Sequence, residues 1–228
     1  MTTLYLMRHS KSMQGNIDSK DSLQMQNEKQ ILSDEGKQLA EEKAKNFNDI
    51  DAVYSSNYIR AISTAKYIAE RNGLEVIIDS DLGERRFGFT TWDDKPEDFE
   101  LKQFEDENYK FGDGENQKEV RERMYNAITR ILNDNKDKRV VVVSHASALT
   151  FLLKTWCDVS IVDHNLLFKY KDKVIYHVKF YNCETFKLFF DDNNNLIDIN
   201  NVKEHQNWIE KNLHIIKKCV DFLCDKFK

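Results

Sequence analysis

The sequence predicts an α/β protein, a three-layer α/β/α sandwich around a mostly parallel sheet with at least one antiparallel strand. Two observations predict this fold class. Short apolar runs alternate with amphipathic patterns through the first two thirds of the chain, and two further strand-like runs follow each other near its end. Alternating strands and helices are typical of a sheet that is covered by helices on both faces.

Four short apolar runs predict the strands of this sheet. They lie at 4–7, 51–54, 76–78 and 140–143. Runs of this kind are typical of buried, parallel strands. Later runs at 175–180 and 185–190 predict further strands and a mixed sheet. The polar turn at 191–195 looks like the end of the sheet.

Three amphipathic patterns predict helices between the strands, at 33–47, 59–69 and 119–132. Their apolar residues recur at spacings of three and four, which places them on one helix face. Ser55 and Ser56 precede the second pattern, and serine is a preferred helix N-cap. We therefore expect this pair to cap the second helix.

The chain is expected to form one domain at 1–200 with a helical insertion at about 90–115, followed by a tail at 201–228. It has one proline, seven glycines and no linker-like segment among its 228 residues. Apolar residues in the tail recur every three or four positions, which predicts an amphipathic helix. That helix either docks on its own domain or lies at an interface, for example in a homodimer.

Composition narrows the classes of function. The formal net charge of −5 disfavours broad nucleic-acid binding, although a phosphate ester needs only local positive charge. No apolar run approaches the roughly 20 residues of a membrane-spanning helix, and the N-terminus does not resemble a secretory signal. The four cysteines lack zinc-site spacing and are expected to be buried thiols. We expect a cytoplasmic protein without a membrane or nucleic-acid partner.

Two predicted strands end in the same way, which marks the candidate site. The run at 4–7 leads into Arg8 and His9, and the run at 140–143 leads into Ser144 and His145. Ligands of open α/β sheets bind beyond the carboxyl ends of the strands. If the two strands are neighbours, both imidazoles converge on one position.

A third predicted strand leads into a helix that carries Arg60 about one and a half turns from Ser55. An arginine there can donate to two phosphate oxygens, and the amides at the start of the helix supply further donors. Arg60 alone would be read as a surface charge. Its combination with the two strand-end histidines favours an anion site.

Several motifs occur in the order found in the histidine phosphatase superfamily, which includes phosphoglycerate mutase. The segments that resemble family motifs are Arg8-His9, 32–36 with Ala40, 55–65, 82–88 with Trp92, 114–116 with Val120 and Arg123, and Ser144-His145. The resemblance extends to about residue 190. It implies a phosphoglycerate mutase-like fold and a phosphatase-type site in the 1–200 domain.

The resemblance implies roles for the strand-end residues. His9, as a neutral imidazole, attacks phosphorus and becomes phosphohistidine. Arg8, Arg60 and a protonated His145 surround the transferring phosphoryl group. This chemistry requires neither a metal nor a cofactor.

Glu84 is the carboxylic acid that the family pattern offers for protonating the leaving group. It could later deprotonate the water that hydrolyses the phosphoenzyme. The alternative is that Glu84 forms an ion pair with Arg85 or Arg86. We expect the acid/base role.

Five further residues are candidates for substrate binding: Ser10, Lys11, Asn16, Arg85 and Ala146. Several of them depart from the family pattern. Ser10 replaces a glycine, and Lys11 stands where an acidic residue or glutamine is common. Lys11 either favours a second anionic group on the substrate or is solvated. Asn16 lies one position later than the usual asparagine.

Hydrolysis of a small phosphorylated metabolite is the function that the sequence favours. The long segment that follows the first motif in mutases is absent, whereas the element at 114–116 resembles the phosphatase branch. The alternatives are mutase-type phosphoryl transfer, a phosphohistidine protein phosphatase, and a catalytically weak phosphate-binding or partner-binding protein.

The aromatic residues at 87–111 have two interpretations. They either pack an amphipathic insertion onto the sheet, or they form a lid that selects the organic part of the substrate.

Overall fold

A six-stranded mixed sheet forms the centre of the computed structural model, which describes residues 1–15, 18 and 20–202. The predicted tail helix at 201–228 lies almost entirely outside the described residues. The strands are β1 Thr2–Arg8, β2 Ser12–Met13, β3 Ile31–Leu32, β4 Ala52–Ser55, β5 Val76–Ile78, β6 Arg139–Ser144, β7 Asp158–Val162, β8 Asn165–Tyr170, β9 Lys173–Val178, β10 Thr185–Phe190 and β11 Leu196–Asn201.

Among the described residues, six α-helices and two short 3₁₀-helices connect or flank these strands. The α-helices are α1 Leu23–Glu28, α2 Asp34–Ala44, α3 Ile59–Arg71, α4 Phe99–Glu105, α5 Gln117–Asp134 and α6 Ala146–Leu153. The 3₁₀-helices are Ser80–Leu82 and Trp92–Asp94.

The order of the central sheet is β11-β10-β1-β6-β4-β5. Strands β1, β6, β4 and β5 pair in parallel, whereas β10 pairs antiparallel to both β1 and β11. The predicted mostly parallel sheet with an antiparallel strand is thereby confirmed. Strands β1 and β6 are neighbours, as convergence of the two histidines requires.

Successive side chains of β1 pack against helices on opposite faces of the sheet, which gives three layers, helix, sheet and helix. Leu4 and Leu6 pack with residues of α5 and α6 on one face. Tyr5 and Met7 pack with residues of α2 and α3 on the other. Successive strand side chains point to opposite faces, so the buried strands contribute to both cores.

Three details of the prediction are wrong. Strand β5 is an edge strand, and Ile77 and Ile78 are exposed instead of buried. The turn at 191–195 does not end the sheet, because β11 follows it and pairs with β10. The run at 175–180 corresponds to β9, which belongs to a separate three-stranded sheet, β7-β8-β9.

The start of α3 also differs from the prediction. Its N-cap position is Tyr58, which makes no side-chain capping bond within the described part of the chain. Ser55 Oγ donates to the carbonyl of Ser56, and Ser56 Oγ contacts His145 Nε2. Ser55 therefore ends β4, and Ser56 lies in the loop before the helix and contributes to the site.

The segment between β5 and α5 packs against α1 in a small separate core, made of Leu23, Phe89 and Phe99 with partly buried aromatic neighbours. Complete burial of a side chain such as Phe99 contributes about 1.5–3 kcal/mol. Gly88 has a φ of +79°, and a Cβ atom there would lie 2.0 Å from the carbonyl oxygen of Phe111. The backbone at Gly88 therefore packs directly against the backbone at Phe111.

Candidate active site

The two histidines meet at the carboxyl edge of β1 and β6. Arg8 pairs in register with Ser144, and the His9 amide donates to the Ser144 carbonyl at 2.9 Å. The ring centroids of His9 and His145 are 5.1 Å apart. Parallel pairing of adjacent strands thus places both imidazoles at one point of the sheet edge.

The contacts of His9 define its tautomer. Nδ1 lies 2.7 Å from the Ser10 carbonyl oxygen, which can only accept, so Nδ1 carries the proton. Nε2 accepts from Arg60 Nε at 3.1 Å. Burial, together with the charges of Arg60 and Arg8, holds the pKa of His9 well below its ordinary value, although the Ser10 carbonyl acts in the opposite direction. His9 is therefore neutral, with its lone pair on Nε2.

His145 is also neutral. Its Nδ1 accepts from Arg60 Nη2 at 3.1 Å, and the opposite nitrogen, Nε2, donates to Ser56 Oγ at 2.8 Å. Burial, followed by the His9 and Arg60 interactions, holds the pKa of His145 well below its ordinary value. The ring is fully buried among cationic neighbours, and this environment disfavours the protonated form that the sequence predicted around a phosphoryl group.

Arg60 bridges the two imidazoles. It is the second residue of α3, nearer to the start of the helix than the sequence suggested. Its Nη1 donates to the Asn27 carbonyl, and its guanidinium lies 4.9 Å from the centre of the Tyr58 ring. These contacts fix a buried positive charge between the two rings.

Arg8 supplies a second guanidinium at this edge. Its Nη1 donates to the Phe180 carbonyl. Its Nε is buried and has no hydrogen-bond partner among the described residues. A buried N–H without a partner costs about 1–3 kcal/mol, so Arg8 Nε is a candidate donor to an anion.

Glu84 lies against the start of α6, the helix that follows His145. Its carboxylate accepts from the amides of Arg85 at 3.0 Å, Ala148 at 2.9 Å and Ser147 at 3.3 Å. Charge on a carboxylate is favoured at a helix N-terminus. Glu84 is thus held beside the two-histidine site by backbone donors.

Glu84 does not form the ion pair with Arg85 or Arg86 that was the alternative to its acid/base role. Arg85 pairs with Glu100 at 3.7 Å, and Arg86 pairs with Glu115 at 3.9 Å. The carboxylate of Glu84 instead takes the backbone amides at the start of α6. This arrangement leaves Glu84 positioned by the main chain.

Arg123 positions the loop that carries Glu84. Its Nη1 donates to the carbonyls of Asp81 at 2.7 Å and Gly83 at 3.0 Å, and its Nη2 donates to the Glu84 carbonyl at 3.1 Å. The same guanidinium forms two bonds with the Glu115 carboxylate, at 2.7 and 3.0 Å. Bidentate pairing of this kind fixes geometry as well as charge.

The other predicted binding residues are dispersed. Ser10 is buried and donates to the Gly36 carbonyl at 2.7 Å, and Lys11 pairs with Glu35 at the surface. Asn16 lies outside the described residues. Arg85 and Ala146 line a neighbouring cleft. The structure therefore brings together the five predicted catalytic residues but not all of the predicted binding residues.

Sequence reasoning missed several residues that support the site. Ser56 holds His145, and the carbonyl of Asn27 holds Arg60. Tyr58 lies 4.5 Å from the His145 ring, and Asn182 Nδ2 donates to the His9 carbonyl at 3.2 Å. A backbone contact such as that of Asn27 leaves no signal in a single sequence, whereas Ser56 was visible but assigned to capping.

Two further features of the described residues concern metal sites and membranes. No group of three or more His, Cys, Asp or Glu side chains among them is arranged to hold a metal ion. No helix in the same part of the chain has the length and apolarity needed to cross a membrane. Cys157 and Cys183 are buried, as predicted, whereas Cys219 and Cys224 lie outside the described residues.

Comparison with solved structures supports the fold. A mycobacterial glucosyl-3-phosphoglycerate phosphatase in complex with VO3 is 21% identical with a TM-score of 0.60, covering 82% of this chain and 92% of that one. A phosphoserine phosphatase from Entamoeba histolytica in complex with phosphoserine is 20% identical with a TM-score of 0.59, covering 88% of this chain and 97% of that one. At these identities the likeness concerns the fold alone.

Sequence comparison identifies the family. Phosphoglycerate mutase-like protein 4 of Arabidopsis thaliana is 34% identical over 136 residues, which are 53% of this chain and 58% of that relative. The chain thus matches little more than half the length of this relative. The family model of the histidine phosphatase superfamily (branch 1) matches residues 4–192. The chain belongs to the histidine phosphatase superfamily.

Proposed function

We propose that the chain is a phosphomonoester hydrolase that acts through a phosphohistidine on His9, without a metal ion, on a small phosphorylated metabolite. The observation that carries this proposal is the linked geometry of His9, Arg60 and His145. A neutral imidazole with a defined tautomer presents Nε2 beside a buried guanidinium. The solved relatives named as phosphatases of small phosphorylated metabolites add support.

In this mechanism His9 Nε2 forms a bond to phosphorus while the bond from phosphorus to the alcohol oxygen breaks. Arg60 Nε and Nη2 turn from the imidazole nitrogens to phosphoryl oxygens as substrate binds. Arg8 Nε supplies another donor. Directed positive groups of this kind stabilise the transferring phosphoryl group.

Glu84 protonates the departing alcohol oxygen and later removes a proton from water. Water then attacks phosphorus, breaks the bond to His9 Nε2 and releases inorganic phosphate. The placement of Glu84 beside His145 supports this role. General acid–base catalysis of this type contributes about 10²–10⁴-fold.

His145 is neutral before substrate binds. We propose that a dianionic phosphoryl group favours protonation of its Nδ1, which can then donate to a phosphoryl oxygen. Charge of opposite sign raises the pKa of an imidazole. This step would restore the electrostatic role that the family pattern implies.

Hydrolysis of para-nitrophenyl phosphate in EDTA tests the proposal, with the unmodified chain compared with His9→Ala. We expect activity that resists EDTA and is lost in the variant. Activity that survives without His9 would overturn the phosphohistidine mechanism. Absence of activity at every pH from about 5 to 8, the range in which histidine chemistry operates, would overturn hydrolysis.

Mutase-type transfer is the second candidate, because the Arabidopsis relative is named phosphoglycerate mutase-like. The two candidates differ in the fate of the phosphoryl group. A hydrolase releases inorganic phosphate from a phosphorylated hydroxy acid, whereas a mutase returns the phosphoryl group to another hydroxyl. Phosphorus NMR of the products distinguishes the two reactions.

A cytoplasmic location and a homodimer remain predictions from the sequence.

A further inference from the structure

A cleft of about 450 Å³ opens beside Glu84. One end is formed by Arg85, Ala146 and Ser147. Arg85 follows Glu84 in the chain, and the Ser147 amide donates to the Glu84 carboxylate at 3.3 Å. The cleft therefore begins next to the residue that would protonate the leaving group.

The rest of the cleft is largely apolar, although Glu100, Thr150 and His164 also line it, and it is formed by three elements. Leu101 and Phe104 come from α4, Phe151 comes from α6, and Ile161 and Leu166 come from the β7-β8 hairpin. Pockets that hold drug-sized ligands have volumes of roughly 300–1,000 Å³ and mostly apolar walls with a few polar groups. The cleft falls within that description.

Two of the wall residues are exposed apolar side chains. Leu101 is 46% exposed and Ile161 is 43% exposed. Single exposed apolar residues are common, but these two come from different elements and face one cleft. An apolar ligand group would remove both from water.

The surrounding elements are held in place. In the turn between β7 and β8, Asp163 and His164 have φ values of +50° and +60°, as a tight two-residue hairpin requires. On the other side, Lys154 Nζ donates to the Phe104 carbonyl at 3.1 Å and to Gln117 Oε1 at 3.0 Å. The cleft is thus a formed feature of the fold.

Arg85 makes the end nearest Glu84 polar. Its side chain is only 7% exposed, and its Nε has no partner within the described ranges. Its guanidinium also lies about 5 Å from the rings of Phe87 and Phe99. A ligand would place polar atoms at the Arg85 end and apolar atoms between α4 and the hairpin.

We propose that this cleft binds the alcohol portion of the phosphate ester and selects a bulky, largely apolar group. The inference rests on the proposed function, because it needs Glu84 to face the leaving group. The polar atoms next to the ester oxygen lie near Arg85. The apolar remainder lies against Leu101, Phe104 and Ile161.

The test is the dependence of kcat/KM on chain length for n-alkyl phosphates from ethyl to octyl phosphate. These esters differ in apolar size while the chemistry at the ester oxygen stays nearly constant. We expect kcat/KM to rise about two- to fourfold per added methylene until the cleft is filled. A series that does not rise, with hydrolysis that still depends on His9, overturns the inference and leaves the proposed function standing.

Two surface variants test whether the dependence of kcat/KM on chain length arises in the cleft. We expect Leu101→Asp and Ile161→Asp each to reduce the ratio of kcat/KM for hexyl phosphate to that for ethyl phosphate by about tenfold. Val174→Asp is the matched control, because Val174 is 52% exposed on β9 and does not line the cleft. Its ratio should equal that of the unmodified chain.

A ratio that neither cleft variant changes, or that Val174→Asp lowers equally, overturns the inference. Failure to hydrolyse any phosphate ester in a His9-dependent manner overturns the proposed function, and the inference with it.

Discussion

The strand-end cluster, defined as His9, Ser56, Arg60 and His145, and the cleft beside Glu84 are supported in different ways. Every member of the cluster is buried, Arg60 links its two imidazoles, and Ser56 holds His145. The cleft is partly exposed, mostly apolar, and formed largely by elements outside the central sheet. Under the proposed function, the sheet would position the phosphoryl chemistry, whereas the elements that form the cleft would determine which alcohol is accepted.

Removing the bridging guanidinium should have the largest effect and should be independent of the alcohol. We expect Arg60→Ala to lower kcat/KM by about 10³-fold, because one directed donor to a transferring group contributes about 10²–10³-fold and Arg60 offers more than one. Kinetics on ethyl and hexyl phosphate measure this. Arg71→Ala, on the exposed end of the same helix, is the control. A loss of kcat/KM that differs between the two esters would contradict the separation between the strand-end cluster and the cleft.

Glu84 lies at the boundary of the two regions, so its loss should depend on the leaving group. We expect Glu84→Gln to slow hydrolysis of alkyl phosphates about 10²-fold and of para-nitrophenyl phosphate less than about tenfold. A phenolate leaves without much protonation, whereas an alkoxide needs a proton from the general acid. The exposed Glu75→Gln serves as the control. Equal losses on both substrates would contradict the acid role.

Arg123 should act through Glu84 because it holds the carbonyls of the acid loop. We expect Arg123→Met to lower kcat about tenfold for alkyl phosphates and less for the phenolic ester, following the pattern of Glu84→Gln. The free energy of unfolding should fall by about 3 kcal/mol, since the mostly buried Glu115 loses its bidentate partner and keeps only the longer contact with Arg86. A loss of stability with equal rate effects on both esters would show a merely structural role.

The buried imidazoles should make the strand-end cluster sensitive to acid. The pKa of His145 is lowered in the folded chain, so below about pH 6.5 the unfolded chain binds one more proton there. Stability contributed by this group is therefore lost as pH falls below that value, by about 1.4 kcal/mol per pH unit.

Urea unfolding at a series of pH values from about 6.5 downward measures this slope. We expect His145→Asn to make it shallower by about 1.4 kcal/mol per pH unit, and the exposed His177→Asn to leave it unchanged. Equal slopes for the unmodified chain and His145→Asn would contradict a neutral, buried His145.

The sequence predicted the parts of the molecule that depend on buried parallel strands. The apolar runs at 4–7, 51–54 and 140–143 correspond to β1, β4 and β6. The parallel pairing of β1 with β6 explains why His9 and His145 meet. This worked because a valine run such as 140–143 has few alternatives to a buried strand.

Features that depend on burial and on distant segments were not predictable. The neutrality of His145 follows from complete burial, which no local pattern indicates. Strand β11 was missed because its asparagine-rich end resembles a continuation of the turn. The cleft joins α4, α6 and the β7-β8 hairpin, whose proximity exists only in the folded chain.

The measurement that tests the central claim most directly is rapid-quench trapping of the phosphoenzyme with ³²P-labelled substrate, followed by peptide mapping. The account predicts an acid-labile, base-stable phosphoramidate on His9 that forms and decays at rates compatible with turnover and is absent in His9→Ala. Turnover without any phosphoryl label on the protein, or label on a residue other than His9, would contradict it.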